Sequence, residues 1–125
     1  MKSLILSIVI FCLLISLVIG DSLFINQRLE NISNTVISYF PNNKNNFYGI
    51  YSCAKKVENE YKNIESHLKL IYSEELLYEL EEYITDMKSY ALSEDYIEAL
   101  ATKNRLIAHI EELRRFSSFD IEIIL

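Results

Sequence analysis

Glycine, proline, cysteine and tryptophan are nearly missing from this 125-residue chain, which has two glycines, one proline, two cysteines and no tryptophan. Each scarcity closes a class of explanation. With glycine only at positions 20 and 49, no glycine-rich phosphate loop can form, which excludes the common nucleotide-binding motifs. With Pro41 alone, the many turns of an all-β domain have little to punctuate them. Cys12 lies in an apolar run and Cys53 in the polar body, so neither a disulfide framework nor a C-x-x-C metal spacing is present. Cys53 reads as a half-buried thiol, with an intermolecular disulfide as the alternative. Positive charge is also short, twelve Lys and Arg standing against eighteen Asp and Glu for a net charge of -6. Affinity for nucleic acid comes from Lys and Arg that displace counterions, so no nucleic-acid partner is expected. The only adjacent arginines, Arg114 and Arg115, follow Glu111 and Glu112 and read as cations offsetting the dipole at a helix end.

What the chain has in plenty is Leu, Ile, Glu, Lys, Asn and Tyr. Ile, Asn, Lys and Tyr share A/T-rich codons, so the nine tyrosines need no binding-site explanation. The first long feature is Leu4 to Ile19, 16 residues without a charge, preceded by Lys2 and followed by Gly20 and Asp21. As a helix it covers roughly 24 Å at about 1.5 Å per residue, short of a hydrocarbon core of about 30 Å unless Ser3 and Gly20 extend it. A secretory signal peptide has the same outline, and Val18 and Gly20 supply the small residues of a cut site. The stretch after Asp21 favours an uncleaved anchor, because Ile25, Leu29, Ile32, Val36 and Tyr39 continue with the 3–4 spacing of an amphipathic helix. Cleavage after Gly20 is the alternative. Lys2 and the terminal amine are expected on the cytoplasmic side, which puts residues 21–125 outside the cell membrane.

Pro41 ends the first helix, and "PNNKNN" has the chemistry of a loop. Phe47, Ile50, Ala54, Val57, Tyr61, Ile64, Leu68 and Ile71 alternate steps of three and four, predicting a second helix over 45–72 with one narrow buried face. Ser73, followed by Glu74 and Glu75, predicts the cap of a third helix with Leu76, Leu80, Tyr83, Met87 and Tyr90 as its stripe and Leu77, Ile84 and Ala91 at its edge. Ser93 predicts the cap of a fourth, carrying Tyr96, Leu100, Leu106, Ile107, Ile110 and Leu113, with Lys103 snorkelling its ammonium to water. The closing "FSSFDIEIIL" is expected to dock on its own bundle, an extended partner-binding tail being the alternative. The expected fold is all-α: a transmembrane helix, residues 1–20, continuing into a small antiparallel bundle of about four helices, residues 21–125.

Candidates for chemistry are few. Di-iron bundles use Glu-x-x-His on two helices, whereas His109 precedes Glu112 by three in the reverse order and His67 has no acid three residues before it. No metal site or cofactor is expected. Cys53 and two scattered histidines on predicted helices are poor material for nucleophilic catalysis, which usually sits on loops or pocket walls. No catalytic residue is assigned, and the chain is expected not to be an enzyme. Glu74, Glu75, Glu79, Glu81 and Glu82 read as a solvated helix face.

The N-terminal span, Tyr61 in helix two, "MKSYALSEDYIEALATKNRLIAHIEEL" and the closing Ile-Ile-Leu together resemble the bacterial family known as domain of unknown function 4363, with Ile123 where members carry asparagine. The resemblance covers nearly the whole chain and implies an anchored helical domain of the bacterial envelope, accompanied by a small polytopic membrane protein. The expectation is thus a non-enzymatic accessory or interaction partner of a membrane or envelope protein, with self-association open. A secreted helical binding protein is the alternative.

Overall fold

A computed structural model describes residues 1–124, with side chains through Phe116. Four α-helices follow one another: α1 (Lys2–Tyr39), α2 (Phe47–Ile71), α3 (Glu74–Leu92) and α4 (Tyr96–Ile124). Each packs on its neighbour in sequence, and α1 and α4 close the ring. The connections are short, so successive helices are antiparallel, as in an up-down-up-down bundle. Only the second half of α1 takes part. Its first buried residue is Ser22, and the apolar half before it projects beyond the bundle.

Local chemistry explains where the helices stop. Phe40 takes an extended backbone and Pro41 cannot extend the ladder, so α1 ends at Tyr39. Asn46 caps α2 by accepting from the Gly49 amide at 2.9 Å. A Cβ on Gly49 would come within 2.6 Å of that Asn46 side chain, so the cap and the glycine depend on each other. Ser73 caps α3, accepting from the Leu76 amide at 3.3 Å. Ser93, the expected cap of the fourth helix, instead ends α3, its amide donating to Ser89. Glu94 then turns the chain with φ 58°, and Asp95 caps α4 by accepting from the Glu98 amide at 3.1 Å. The shorter Asx reach from one residue before the helix wins over the serine.

The core follows the stripes with shifts. Ile25, Leu29, Ile32 and Val36 are fully buried, but Tyr39 is exposed and Phe40 takes the last place. In α2 the heptad from Ile50 to Leu68 is buried as spaced, with Phe47 and Ile71 at its margins. In α3 the buried seam is Leu77, Leu80, Ile84, Met87 and Ala91, whereas Leu76, Tyr83 and Tyr90 are only partly covered. The face is rotated toward the smaller residues because the tyrosine hydroxyls need polar partners that the centre lacks. In α4 the inward positions include Ala99, Thr102 and His109, while Tyr96, Leu100 and Ile107 lie at the edge. Lys103, half-buried, places its ammonium 4.9 Å from the centre of the Phe40 ring, adding a cation–π contact that the sequence did not predict.

Arg114 is not at a helix end, since α4 continues to Ile124. Its guanidinium donates to Asn26 at 2.9 Å and to Glu111 at 2.9 Å, and it lies 3.5 Å from Glu30, fastening α4 to α1. Whether the closing residues 117–125 dock by their side chains lies outside the described residues.

Leu106 is fully buried and Ile97 is exposed. Leu106→Ala is expected to lower stability by about 2–5 kcal/mol and Ile97→Ala by under about 0.5 kcal/mol, measured by urea unfolding of the detergent-solubilised chain followed by circular dichroism.

Candidate functional site

The largest unusual surface is the first half of α1. None of its most apolar 18-residue stretch is buried within the molecule. Leu4, Ile5 and Leu6, which point about 100° apart in turn around the helix, are each about 60% exposed or more, so the apolar surface runs all the way round. Thirteen Leu, Ile, Val and Phe lie between Leu4 and Ile19. On the insertion scale each contributes about 0.3–0.6 kcal/mol toward lipid, roughly 4–8 kcal/mol together. Both hydroxyls between Leu4 and Ile19 are satisfied within the helix. Ser7 donates to the Ser3 carbonyl at 2.8 Å and Ser16 to the Cys12 carbonyl at 2.9 Å, leaving neither of these hydroxyl hydrogens in need of water. By length and composition this helix can cross a membrane.

The polar interior braces helices together. His109 is buried on α4, and its Nε2–H donates to the Leu76 carbonyl of α3 at 2.8 Å. Its Nδ1 lies 3.7 Å from Glu79, and Glu79 in turn accepts from the Tyr83 hydroxyl at 2.9 Å, which raises the Tyr83 pKa. With Nε2 committed to a helix carbonyl and no Ser or Cys in this hydrogen-bonded group, the imidazole has no nucleophile to activate. His67 is elsewhere, exposed on α2 with its ring 5.6 Å from that of Phe24. The two histidines are not brought together. Glu112 is exposed while His109 is buried, so the pair three residues apart does not converge. Among the described residues no three His, Cys, Asp or Glu side chains cluster as metal ligands.

Between α2 and α3 the acids are more engaged than a solvated face requires. Glu81 accepts from the Tyr61 hydroxyl at 2.7 Å; burial, and then this carboxylate, push the Tyr61 pKa up. Glu79 is held by Tyr83, whereas Glu74, Glu75 and Glu82 are exposed as expected. Glu58 pairs across the seam with Lys88 and along α2 with Lys55 at 3.4 Å and Lys62 at 3.6 Å. The hydrogen bond from Lys88 leads the causes that hold the Glu58 carboxyl below its ordinary value of 4.5. Sequence reasoning missed these cross-helix partners, since spacing along one helix says nothing about which tyrosine or lysine faces it from the next.

Cys53 is 1% exposed rather than half-buried. It sits beside the Val36 carbonyl at 3.9 Å, and burial pushes its thiol up to about 11. Such a thiol is neither a ready nucleophile nor within reach of a second chain.

The far end of the bundle carries a different surface. Tyr48, Leu92 and Ile97 are largely exposed there. Beside them lies an open groove of about 670 Å³, lined among others by Phe47, Asp95, Tyr96 and Leu100.

Two outcomes test this polar inventory. Because folding lowers the Glu58 pKa below 4.5, its contribution to stability is complete above that pH and fades as pH falls through the lower folded value. Lys88→Met is therefore expected to cost about 1 kcal/mol at pH 7, with the variant and parent unfolding curves converging in acid. For Cys53, the rise from 9.0 to about 11 reduces the thiolate at pH 8 by about 100-fold. Iodoacetamide labelling of Cys53, followed by mass spectrometry, is expected to be slower than in the unfolded chain by at least that factor.

No protein-family model matches this chain, and no curated protein or solved structure matches it either.

Proposed function

We propose that this chain is a single-pass protein of the cell membrane, anchored by residues 1–20, with its amino terminus cytoplasmic and a helical domain, residues 21–125, outside. The observation that carries the reading is the composition of α1, a single 38-residue helix. Its first half is apolar on every side, and its second half is a stave of the bundle. Water is the wrong solvent for the first half by several kcal/mol, and lipid is the wrong solvent for the second, with Asp21, Arg28 and Glu30 on its surface. Lys2 is the sole Lys or Arg before Arg28, which supports a cytoplasmic amino terminus.

The domain acts by binding rather than catalysis. His109 and Cys53 are spent on packing, and the exposed Tyr48, Leu92 and Ile97 at the far end supply a surface for a membrane or envelope protein. The resemblance to domain of unknown function 4363 agrees with this reading and stands as part of the proposal.

A second reading has its own support. The position a Cβ would occupy on Gly20 has no atom within 4 Å, and burial begins only at Ser22. A chain cut after Gly20 thus keeps its whole core and could act as a secreted binder.

The experiment is expression in a bacterium, alkaline washing of the membranes and mass spectrometry of the mature amino terminus. The anchored protein is expected in the washed membrane with residues 1–20 attached and the domain open to external protease. A mature chain beginning at Asp21 in the soluble fraction selects the secreted form.

A further inference from the structure

The apolar side chains that the bundle leaves uncovered are not scattered. Beyond Gly20 the described large hydrophobics that stand exposed are Leu23, Phe24, Ile37, Tyr39, Tyr48, Leu70, Tyr78, Leu92, Ile97 and Phe116. Tyr78 apart, they fall at the two ends. The far end holds Ile37, Tyr39, Tyr48, Leu92 and Ile97, near the α1–α2 and α3–α4 connections. The near end, where α1 emerges from its apolar half, holds Leu23, Phe24, Leu70 and Phe116.

Cross-helix contacts set the heights of these four. Phe24 meets the His67 ring of α2 at 5.6 Å, and α2 runs back toward the apolar half of α1. Leu70, three residues further on, is about 4.5 Å lower along the axis, level with Asp21. It is 83% exposed. Arg114 of α4 donates to Asn26 at 2.9 Å, and Phe116, two residues later on a helix running the same way as α2, is level with about Phe24. The four side chains come from three helices and lie within about 6 Å of Gly20 measured along α1.

We propose that this end of the bundle is itself a lipid interface, with Leu23, Phe24, Leu70 and Phe116 seated in the headgroup layer around the anchor. The inference rests on the reading that residues 1–20 span the bilayer. If they do, α1 leaves no spacer. Its backbone stays helical through Gly20, and α4 runs on from Phe116 to Ile124, about 12 Å further toward the anchor, so the end of the bundle cannot stand away from the surface and α4 enters it beside α1. The layer between the hydrocarbon edge and bulk water is about 5–8 Å deep on each side, which matches the height of the collar. Aromatic and aliphatic side chains are at home in that layer. Lys69 lies at the same height, and Arg28, one turn above Phe24 on α1, reaches back to set its guanidinium 5.1 Å from the Phe24 ring centre. Asp21, and Glu74 and Glu75 at the start of α3, bring carboxylates to the same end, so the chemistry suits a zwitterionic rather than an anionic surface.

The test uses the full chain in phosphatidylcholine nanodiscs, in a Cys12→Ser, Cys53→Ala background. One bimane label is placed in turn through Leu14→Cys, Leu70→Cys, Phe116→Cys and Ile97→Cys, and the quencher is a lipid carrying a nitroxide near the top of its acyl chain. Labels at 14, 70 and 116 are expected to lose about half their emission or more, and the label at 97 to keep it. Quenching at 14 with labels at 70 and 116 as bright as that at 97 overturns the collar and leaves the anchor standing. An unquenched label at 14 overturns the anchor and the collar with it. Leu70 and Phe116 are exposed, so these substitutions leave the core intact.

Discussion

Helix α1 carries its backbone hydrogen bonds past Gly20 without interruption, so its apolar half and its bundle half cannot turn independently. This continuity is the constraint on which the rest depends. The face that α1 offers to α2 and α4 sets their places, and the absence of a spacer sets the height of the bundle above the apolar half. A glycine lowers helix stability by about 1 kcal/mol in water, too little to break a helix held on one side by packing. The junction is stiff because the second half of α1 is buried from Ser22 onward.

Around that stave the bundle combines a plain apolar core with polar contacts of unusual reach. Tyr72 donates its hydroxyl to the Leu113 carbonyl at 2.7 Å across 41 residues, and Thr35 donates to Glu60 at 2.7 Å between α1 and α2. His109 does the same between α4 and α3. Each such bond adds about 1 kcal/mol net, while an apolar core left to itself tolerates sliding of one helix past another. The polar contacts fix the register. They also engage the His109 ring, while the Cys53 thiol sits beside the Val36 carbonyl.

The heptad in α2 was legible from Ile50 to Leu68 because both of its neighbours press on one narrow face, the condition under which steps of three and four are kept. Helix α3 was legible as a helix but not in its facing, since Leu76, Tyr83 and Tyr90 lie beside the true seam and are equally apolar in a pattern. In α4, Ala99, Thr102 and His109 went unrecognised as inward residues because small and polar side chains carry no periodic signal. Ser93 and Asp95 were both fit to cap α4, and only the path of the turn through Glu94 chose between them. No catalytic residue was assigned from the sequence; the structure places His67 at the surface and His109 and Cys53 in the packed interior.

From its residues alone this chain determined its helices, the all-round apolar character of its first twenty positions and the scarcity of glycine that rules out phosphate loops. These are local properties, set by spacing and side-chain chemistry within a few turns. Tertiary structure alone decided which face of α3 is buried, which tyrosine meets which glutamate, and that Leu23, Phe24, Leu70 and Phe116 gather at one end of the bundle. Such relations join positions up to 93 residues apart, and nothing in the pattern of one helix encodes its rotation or its level against another.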